Sequence, residues 1–321
     1  MKNATLRQLK VFEAVARLSS FSRAAEELHL TQPAVSTQVK QLAAHAGLPL
    51  FEQFGKKINM TPAGVEMLHF SRAIIQQFRE AEEAMAAHKG ISSGRLNVAV
   101  ISAGDYFFPR VLAEFTRRHP GVTLNLSVHN REELLRQLAG NLTDLAIMVR
   151  PPEGLGTISE PFAPHPYVIV AAPEHPLARR RKIPLASLAH EPFVVREKGS
   201  DTRNSMEEGL GRRLKNFDIA MEIKSTETIK QAVIAGMGIS FLSAHTISLE
   251  LRVGALSILD IRGFPLMLNW YVVHRENKRL PPVALAFKSF LMRDGASLIE
   301  SITGIHAPRP TRSKDHPSHI N

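Results

Sequence analysis

Cysteine is absent from all 321 residues, which excludes disulfides, thiolate zinc sites, a cysteine nucleophile and a thiol redox switch. No run approaches the roughly 18 consecutive apolar residues that a membrane span needs. The opening Met1-Lys2-Asn3-Ala4-Thr5-Leu6-Arg7 carries no apolar signal core, so a cytoplasmic setting without a membrane partner is expected. Metalloprotease and nucleotidase signatures are missing as well: neither HExxH nor a GxxxxGKS/T phosphate loop occurs, and the chain is not expected to be an enzyme. His306, His316 and His319 read as solvated tail residues rather than metal ligands, and no cofactor or metal is expected.

What is present is basic charge. Lys and Arg number 40 against 30 Asp and Glu, a formal +10, a balance that suits DNA, RNA or anionic lipid and serves solubility equally well. Apolar residues make up 44% and charged residues 22%, ordinary values for a soluble chain with real cores. At this length two or three folding units are expected. The pattern divides into residues 1–61, a long helix at 62–89, a Gly- and Ser-rich hinge at 90–94, an alternating strand–helix region at 95–300 and a polar, Pro-rich tail at 301–321 that has nothing to pack and is expected to be disordered. No internal repeat is visible.

Leu6, Leu9, Phe12, Val15 and Ala16 recur at helical spacing and predict a first helix ending near Leu18. Ser20 is a candidate N-cap for a second helix whose inner face carries Ala24, Ala25 and Leu28. Small residues there let two helices cross closely over a short turn. Thr31 is expected to cap a third helix, with Pro33 in its first turn, where a missing N–H costs nothing. Val35, Val39 and Leu42 form one face of that helix; Gln32, Ser36, Thr37 and Lys40 form the other. Short polar side chains and a Gln can reach base edges while Lys neutralises phosphate, although an ordinary solvated face has the same composition. Two strand-like pieces then flank Gly55-Lys56-Lys57, as the wing of a DNA-binding domain would, and Thr61-Pro62-Ala63-Gly64 starts the next helix.

The run Phe21-Ser22-Arg23-Ala24-Ala25-Glu26-Glu27-Leu28-His29-Leu30-Thr31-Gln32-Pro33-Ala34-Val35-Ser36, with Leu50-Phe51 and Thr61-Pro62-Ala63-Gly64 after it, resembles the LysR-type transcriptional regulators over about residues 5 to 295. The resemblance implies base contacts from Gln32, Pro33, Ser36 and Thr37. It implies phosphate contacts from Lys40, Lys56 and Lys57, with Arg23 and Thr31 beside them. Gln53 departs from the Arg usual at that wing position, which puts phosphate gripping there in doubt. In the long helix Met67, Ser71, Ile74, Phe78, Ala81 and Met85 recur at alternating spacings of four and three, a heptad seam that packs either on its own domain or on a second copy. Resemblance favours the second, with Met67, Ile74, Phe78, Ala81 and Met85 dimerising and the whole assembling as a dimer of dimers on promoter DNA, with RNA polymerase a further candidate partner.

The fold class expected is therefore α plus α/β. A winged helix-turn-helix and a dimerisation helix precede a two-lobed effector domain built like periplasmic binding proteins, with lobe I at 95–162 and 268–300 and lobe II at 163–267. Helix N-termini and strand ends meeting at an interlobe cleft suit an anion. Ser102, Ala103, Gly104 and Asp105 form one candidate corner and Gly199, Ser200, Asp201, Thr202 and Arg203 the best one, Arg203 being able to grip carboxylate or phosphate with two prongs. Plain capping also explains each of these turns; Arg150 and Arg196, which follow strand-like runs, are further candidates that could equally be surface residues, and Gly238 is another. Asp105 would repel an anion, so it is expected to cap, to pair with Arg or to accept ligand hydroxyls. The stretches 101–109 and 227–243 and the wing at 53–57 are similar to the Calvin-cycle (rubisco operon) regulator subfamily, CbbR. That likeness implies an activator whose effector is a phosphorylated metabolite such as ribulose bisphosphate or phosphoenolpyruvate, or NADPH. Two alternatives stay open: a regulator of another pathway such as aromatic-acid catabolism, and an effector-independent architectural DNA-binding protein.

Overall fold

The computed structural model describes residues 3–54, 57–87 and 94–306. The chain begins with α1 (Leu6–Leu18), where Thr5 and Gln8 form a reciprocal capping box. Ser20 then caps α2 (Phe21–Glu27) and Thr31 caps α3 (Gln32–Ala46). Ala24 and Ala25 are buried where α2 crosses its neighbours, against Phe12, Val35 and Leu42. Strands β1 (Phe51–Phe54) and β2 (Lys57–Met60) pair antiparallel, with Phe54 opposite Lys57. The Phe51 ring anchors this hairpin 5.2 Å from that of Phe12.

Helix α4 (Pro62–Ala87) leaves the wing through a tight junction. The Thr61 hydroxyl donates to the Pro49 carbonyl at 2.6 Å and accepts from the Gly64 N–H at 3.0 Å. A Cβ on Gly64 would lie 2.1 Å from the Leu50 carbonyl oxygen, so only glycine fits. The Thr61-Pro62-Ala63-Gly64 motif is thus a backbone splice between wing and helix.

The second unit opens with β3 (Gly94–Ile101), α5 (Phe108–Arg118), β4 (Val122–His129), α6 (Arg131–Ala139) and β5 (Leu145–Met148). Strand β3 lies parallel to both β4 and β5, and its near-continuous apolar run is explained by burial on both faces. The 15-residue β6 (Thr157–Ala171) follows, then β7 (Pro192–Arg196), α7 (Asp201–Leu210), β8 (Asp218–Ile223), α8 (Thr226–Ile234), β9 (Ser240–Ser243), α9 (Ser248–Arg252), β10 (Ser257–Ile258), β11 (Leu266–Arg275) and α10 (Pro282–Thr303). Strand β11 pairs with β5 and with the first part of β6, whose remaining residues pair with β9 and β10. Parallel β7 and β8 join this second layer through Val194 N–H to Ile239 O and Ile239 N–H to Pro192 O, both 2.9 Å.

Two lobes therefore share β6 and β11, and the expected boundaries at 162/163 and 267/268 fall inside unbroken strands. At this crossing Trp270 Nε1 donates to His245 Nδ1 at 3.2 Å, and Phe107 stands edge-on to both rings. The residues from 301, expected to be disordered, are ordered at their start: α10 continues through Thr303, Gly304 closes it with φ 68°, and Ile305 packs on lobe II. Helical spacing of Leu298, Ile299 and Ile302 against the core extends the helix this far. Residues 307–321 and hinge residues 90–93 lie outside the described residues, while Gly94 already belongs to β3. Among the described residues no helix is long and apolar enough to cross a membrane.

Candidate DNA-reading and effector sites

Helix α3 buries Val35, Val39 and Leu42 and exposes Gln32, Pro33, Thr37 and Lys40, with Ser36 half-buried beside them. The Thr31 hydroxyl accepts from the Ala34 N–H at 3.4 Å and so serves as the helix cap. No carboxylate occurs between Glu27 and Glu52, so nothing on this face repels phosphate, a signal that inspection for basic residues alone misses. Exposed Arg23 donates to the Leu18 carbonyl at 2.9 Å, which ties its guanidinium to the end of α1. The Lys57 backbone closes the wing ladder; the Lys56 position and the side chain of Gln53 lie outside what is described.

Along α4 the outward face differs from the expected seam at its start. Met67 is half-buried against the winged domain and Ser71 is fully buried, because the first turns of α4 pack on α1. The large apolar side chains exposed among the described residues of α4 are Val65, Phe70, Ile74, Phe78 and Met85, with Ala81 exposed between the last two. Phe70 thus replaces Met67 at the head of the stripe.

Between the lobes, Arg196 ends β7 and is paired bidentately with Glu197, Nε to Oε2 at 2.8 Å and Nη2 to Oε1 at 3.0 Å. This clamp aims its remaining nitrogen, Nη1, at the Thr226 hydroxyl (2.9 Å) and at the Ser102 hydroxyl of lobe I (3.4 Å). One guanidinium nitrogen and two hydroxyls, from three different chain segments, form a compact donor set for an oxyanion. A second interlobe link joins Arg131 Nη1 to Asp201 Oδ1 at 3.0 Å, and Arg131 also donates to the Arg150 carbonyl. Arg150 itself pairs with Glu208. Burial raises the Asp201 carboxyl above the usual range, while the Arg131 charge opposes the rise. Among the described residues Arg150 Nη1 is buried without a hydrogen-bond partner, the mark of a place that receives polar atoms from elsewhere.

A third link is Lys230, whose ammonium lies 4.5 Å from the centroid of the Tyr106 ring. It bonds Glu250 at 2.6 Å and Glu227 at 2.7 Å, and that bond holds the Glu227 carboxyl below its ordinary value. Arg131, Arg196 and Lys230 thus each bridge or face the opposite lobe.

The helix-turn-helix model "Bacterial regulatory helix-turn-helix protein, lysR family" matches residues 6–65, and "LysR substrate binding domain" matches residues 89–296. The chain belongs to the LysR family. It is 49% identical over 296 residues to a RuBisCO operon transcriptional regulator of Allochromatium vinosum, covering 92% of this chain and 98% of that protein. It is 50% identical over 286 residues to the HTH-type transcriptional regulator CbbR of Rhodospirillum rubrum, covering 89% of this chain and 95% of that one. The solved regulatory domain of Synechocystis PCC6803 CcmR in complex with 2-PG (2-phosphoglycolate) is similar at a TM-score of 0.60 and 40% identity, covering 62% of this chain and 96% of that domain.

Within this LysR effector domain the candidate residues separate. Ser102, Arg150, Arg196 and Asp201 are brought to the interlobe region, Asp201 through Arg131. Arg203 is turned inward: its side chain is 5% exposed, with Nε on Glu207 at 2.6 Å and Nη1 on the Arg196 carbonyl at 3.4 Å. It braces the Arg196 backbone. Ser200 caps α7, accepting from the Arg203 N–H and donating to the Glu197 carbonyl. Thr202 is buried in that first turn, and Gly199 makes the approach with φ 85°. Ala103 is buried, and Gly104 is required because a Cβ would lie 2.4 Å from Val100 Cγ2. Gly238 is explained by packing, since a Cβ there would lie 2.1 Å from the Pro192 carbonyl oxygen. Asp105 neither caps α5, which starts at Phe108 behind an uncapped Phe107, nor pairs with Arg among the described residues; partial burial raises its carboxyl. Sequence reading missed Arg131, Thr226 and Lys230. Arg131 had a usable signal, as the first residue after a strand and an Asn N-cap; the other two sit in a helix whose facing lobe only the fold reveals.

Proposed function

We propose that this LysR-family chain is a transcriptional activator of carbon-fixation genes whose promoter binding responds to a small phosphorylated carboxylate held between the lobes. The observation that carries the proposal is the Arg196–Ser102–Thr226 donor set, which links both lobes around a position suited to phosphate oxygens. Support comes from the RuBisCO-operon relatives and from the 2-phosphoglycolate complex of the similar Synechocystis domain. Arg131 and Arg150 stand ready for the ligand's other end. Two copies joined along the exposed stripe of α4 place two α3 helices on successive half-sites, and two such dimers form the working assembly. Ligand acts by binding one lobe arrangement more tightly than the other, a coupling of typically ~1–3 kcal/mol.

The test is calorimetric titration of the full-length protein with 2-phosphoglycolate, ribulose bisphosphate, phosphoenolpyruvate, NADPH and an aromatic acid, each followed by footprinting on duplex promoter DNA. Saturable binding of a phosphorylated ligand that changes the footprint is expected. Binding of the aromatic acid alone would transfer the protein to a catabolic pathway.

A further inference from the structure

Four consecutive cations, Arg179, Arg180, Arg181 and Lys182, lie on lobe II with all four side chains exposed. The run is held at both ends by buried anchors, Leu177 before it and Ile183 after it. Ile183 forms a β-bridge with Ile261, its N–H donating to the Asp260 carbonyl at 2.8 Å and its carbonyl accepting from the Arg262 N–H at 2.9 Å. Lys182 turns through a left-handed φ of 50°, and Arg262 Nε donates to its carbonyl at 2.9 Å. That bond adds a fifth exposed cation to the cluster. Among the described residues none of the five has an ion-pair partner, and residues 174–184 and 258–264 contain only two carboxylates, Glu174 and Asp260. The effector site lies elsewhere, and nothing in the lobe mechanics uses these side chains.

We propose that this patch is a second DNA contact, which grips the phosphate backbone of duplex flanking the site read by α3. The proposal rests on the DNA-binding reading above. A protein partner needs a cluster of apolar or aromatic anchors at the centre of its interface, yet residues 174–184 and 258–264 expose a single large aliphatic side chain, Ile258, and no aromatic one. A phosphate backbone needs only dense, unpaired Lys and Arg at a fixed spacing. The two buried isoleucines and the β-bridge supply that fixity. Such a contact carries no sequence information; it favours promoters whose flanks bend back toward the effector domains.

The full-length triple variant Arg180→Gln, Arg181→Gln, Lys182→Gln tests this, since exposed positions tolerate neutral side chains and an unchanged melting temperature verifies folding. Two duplexes carry the same site, selected by the unaltered protein from random sequence: one ends at the half-sites and the other has long flanks. On the flanked duplex the variant is expected to bind about tenfold or more weakly, with the log–log salt slope flattened by roughly 2–3 units. On the short duplex affinity and slope are expected to stay unchanged. Equal loss on both duplexes overturns the proposal, as does no change on either, the result expected if the patch meets an acidic protein instead. If the unaltered protein selects and binds no duplex at all, the DNA-binding reading itself falls, and the patch with it.

Discussion

Arg131 Nη1 lies 3.0 Å from Asp201 Oδ1, joining the first turn of a lobe I helix to the first turn of a lobe II helix. The Asp201 side chain is 4% exposed, so it relies on Arg131 for compensation. Arg131→Ala is expected to destabilise the protein by about 3–5 kcal/mol in urea unfolding, because it strands a buried carboxylate. Adding Asp201→Asn should recover part of that loss. A double variant no more stable than Arg131→Ala would show that the ion pair does not join the lobes.

Arg196 and Arg203 are neighbours in different surroundings. Arg196→Gln removes the nitrogen aimed between Ser102 and Thr226, and is expected to weaken 2-phosphoglycolate binding at least tenfold in calorimetry while duplex binding persists. Arg203→Gln breaks the bracing of the Arg196 carbonyl and should lower the melting temperature first. A variant at Arg203 that melts normally but loses ligand would restore it to the binding set.

Acid should loosen the lobe crossing. Burial lowers His245 to about 4 from its ordinary 6.5, and His165 falls well below the ordinary value through burial and the proximity of His245. A histidine with a depressed folded pKa stabilises the fold above its unfolded pKa, and that stability is lost as pH falls toward the folded one. From His245 alone the loss between pH 6.5 and 4 is about 3 kcal/mol. His245→Gln, compared with the parent across that window in denaturant titrations, should flatten the decline; parallel curves would remove His245 from the account.

Gly64→Ala is expected to cost about 1–3 kcal/mol by forcing the Leu50 carbonyl away from α4. The same substitution should weaken DNA binding, since the wing hangs on that junction. Chemical denaturation and a mobility-shift titration check both, and an unperturbed variant would mean the junction relaxes freely.

Phe78→Asp places a charge in the exposed stripe that Phe70, Ile74, Ala81 and Met85 complete. Dissociation to monomers is the expected outcome in sedimentation velocity, with loss of affinity for paired half-sites. Met67→Ala, on the half-buried side of the helix, should leave the assembly intact. The reverse ranking would move the dimer seam back to Met67.

Local sequence determined a great deal here. The caps at Ser20, Thr31 and Thr61, the paired alanines of α2 and the period of α3 are short-range signals. Each depends on backbone groups within a few residues, so the winged helix-turn-helix was legible at the level of single side chains. The alternation of strands and helices likewise announced an α/β effector domain, because burial on two faces imposes its own composition.

Tertiary structure decided what long-range pairing alone can decide. The sequence cannot say that Arg196 is clamped by Glu197 and aimed at Ser102, 94 residues away, while Arg203 is turned inward. Both are arginines beside a strand end, and only the register of the surrounding elements separates them. Nor does a heptad count reveal that Met67 is half-buried against the winged domain and Ser71 fully buried while Phe70 stays exposed. The physical reason is range: capping and periodicity act through neighbours in the chain, whereas the desolvation and charge pairing around a side chain depend on segments that only the folded lobes bring together.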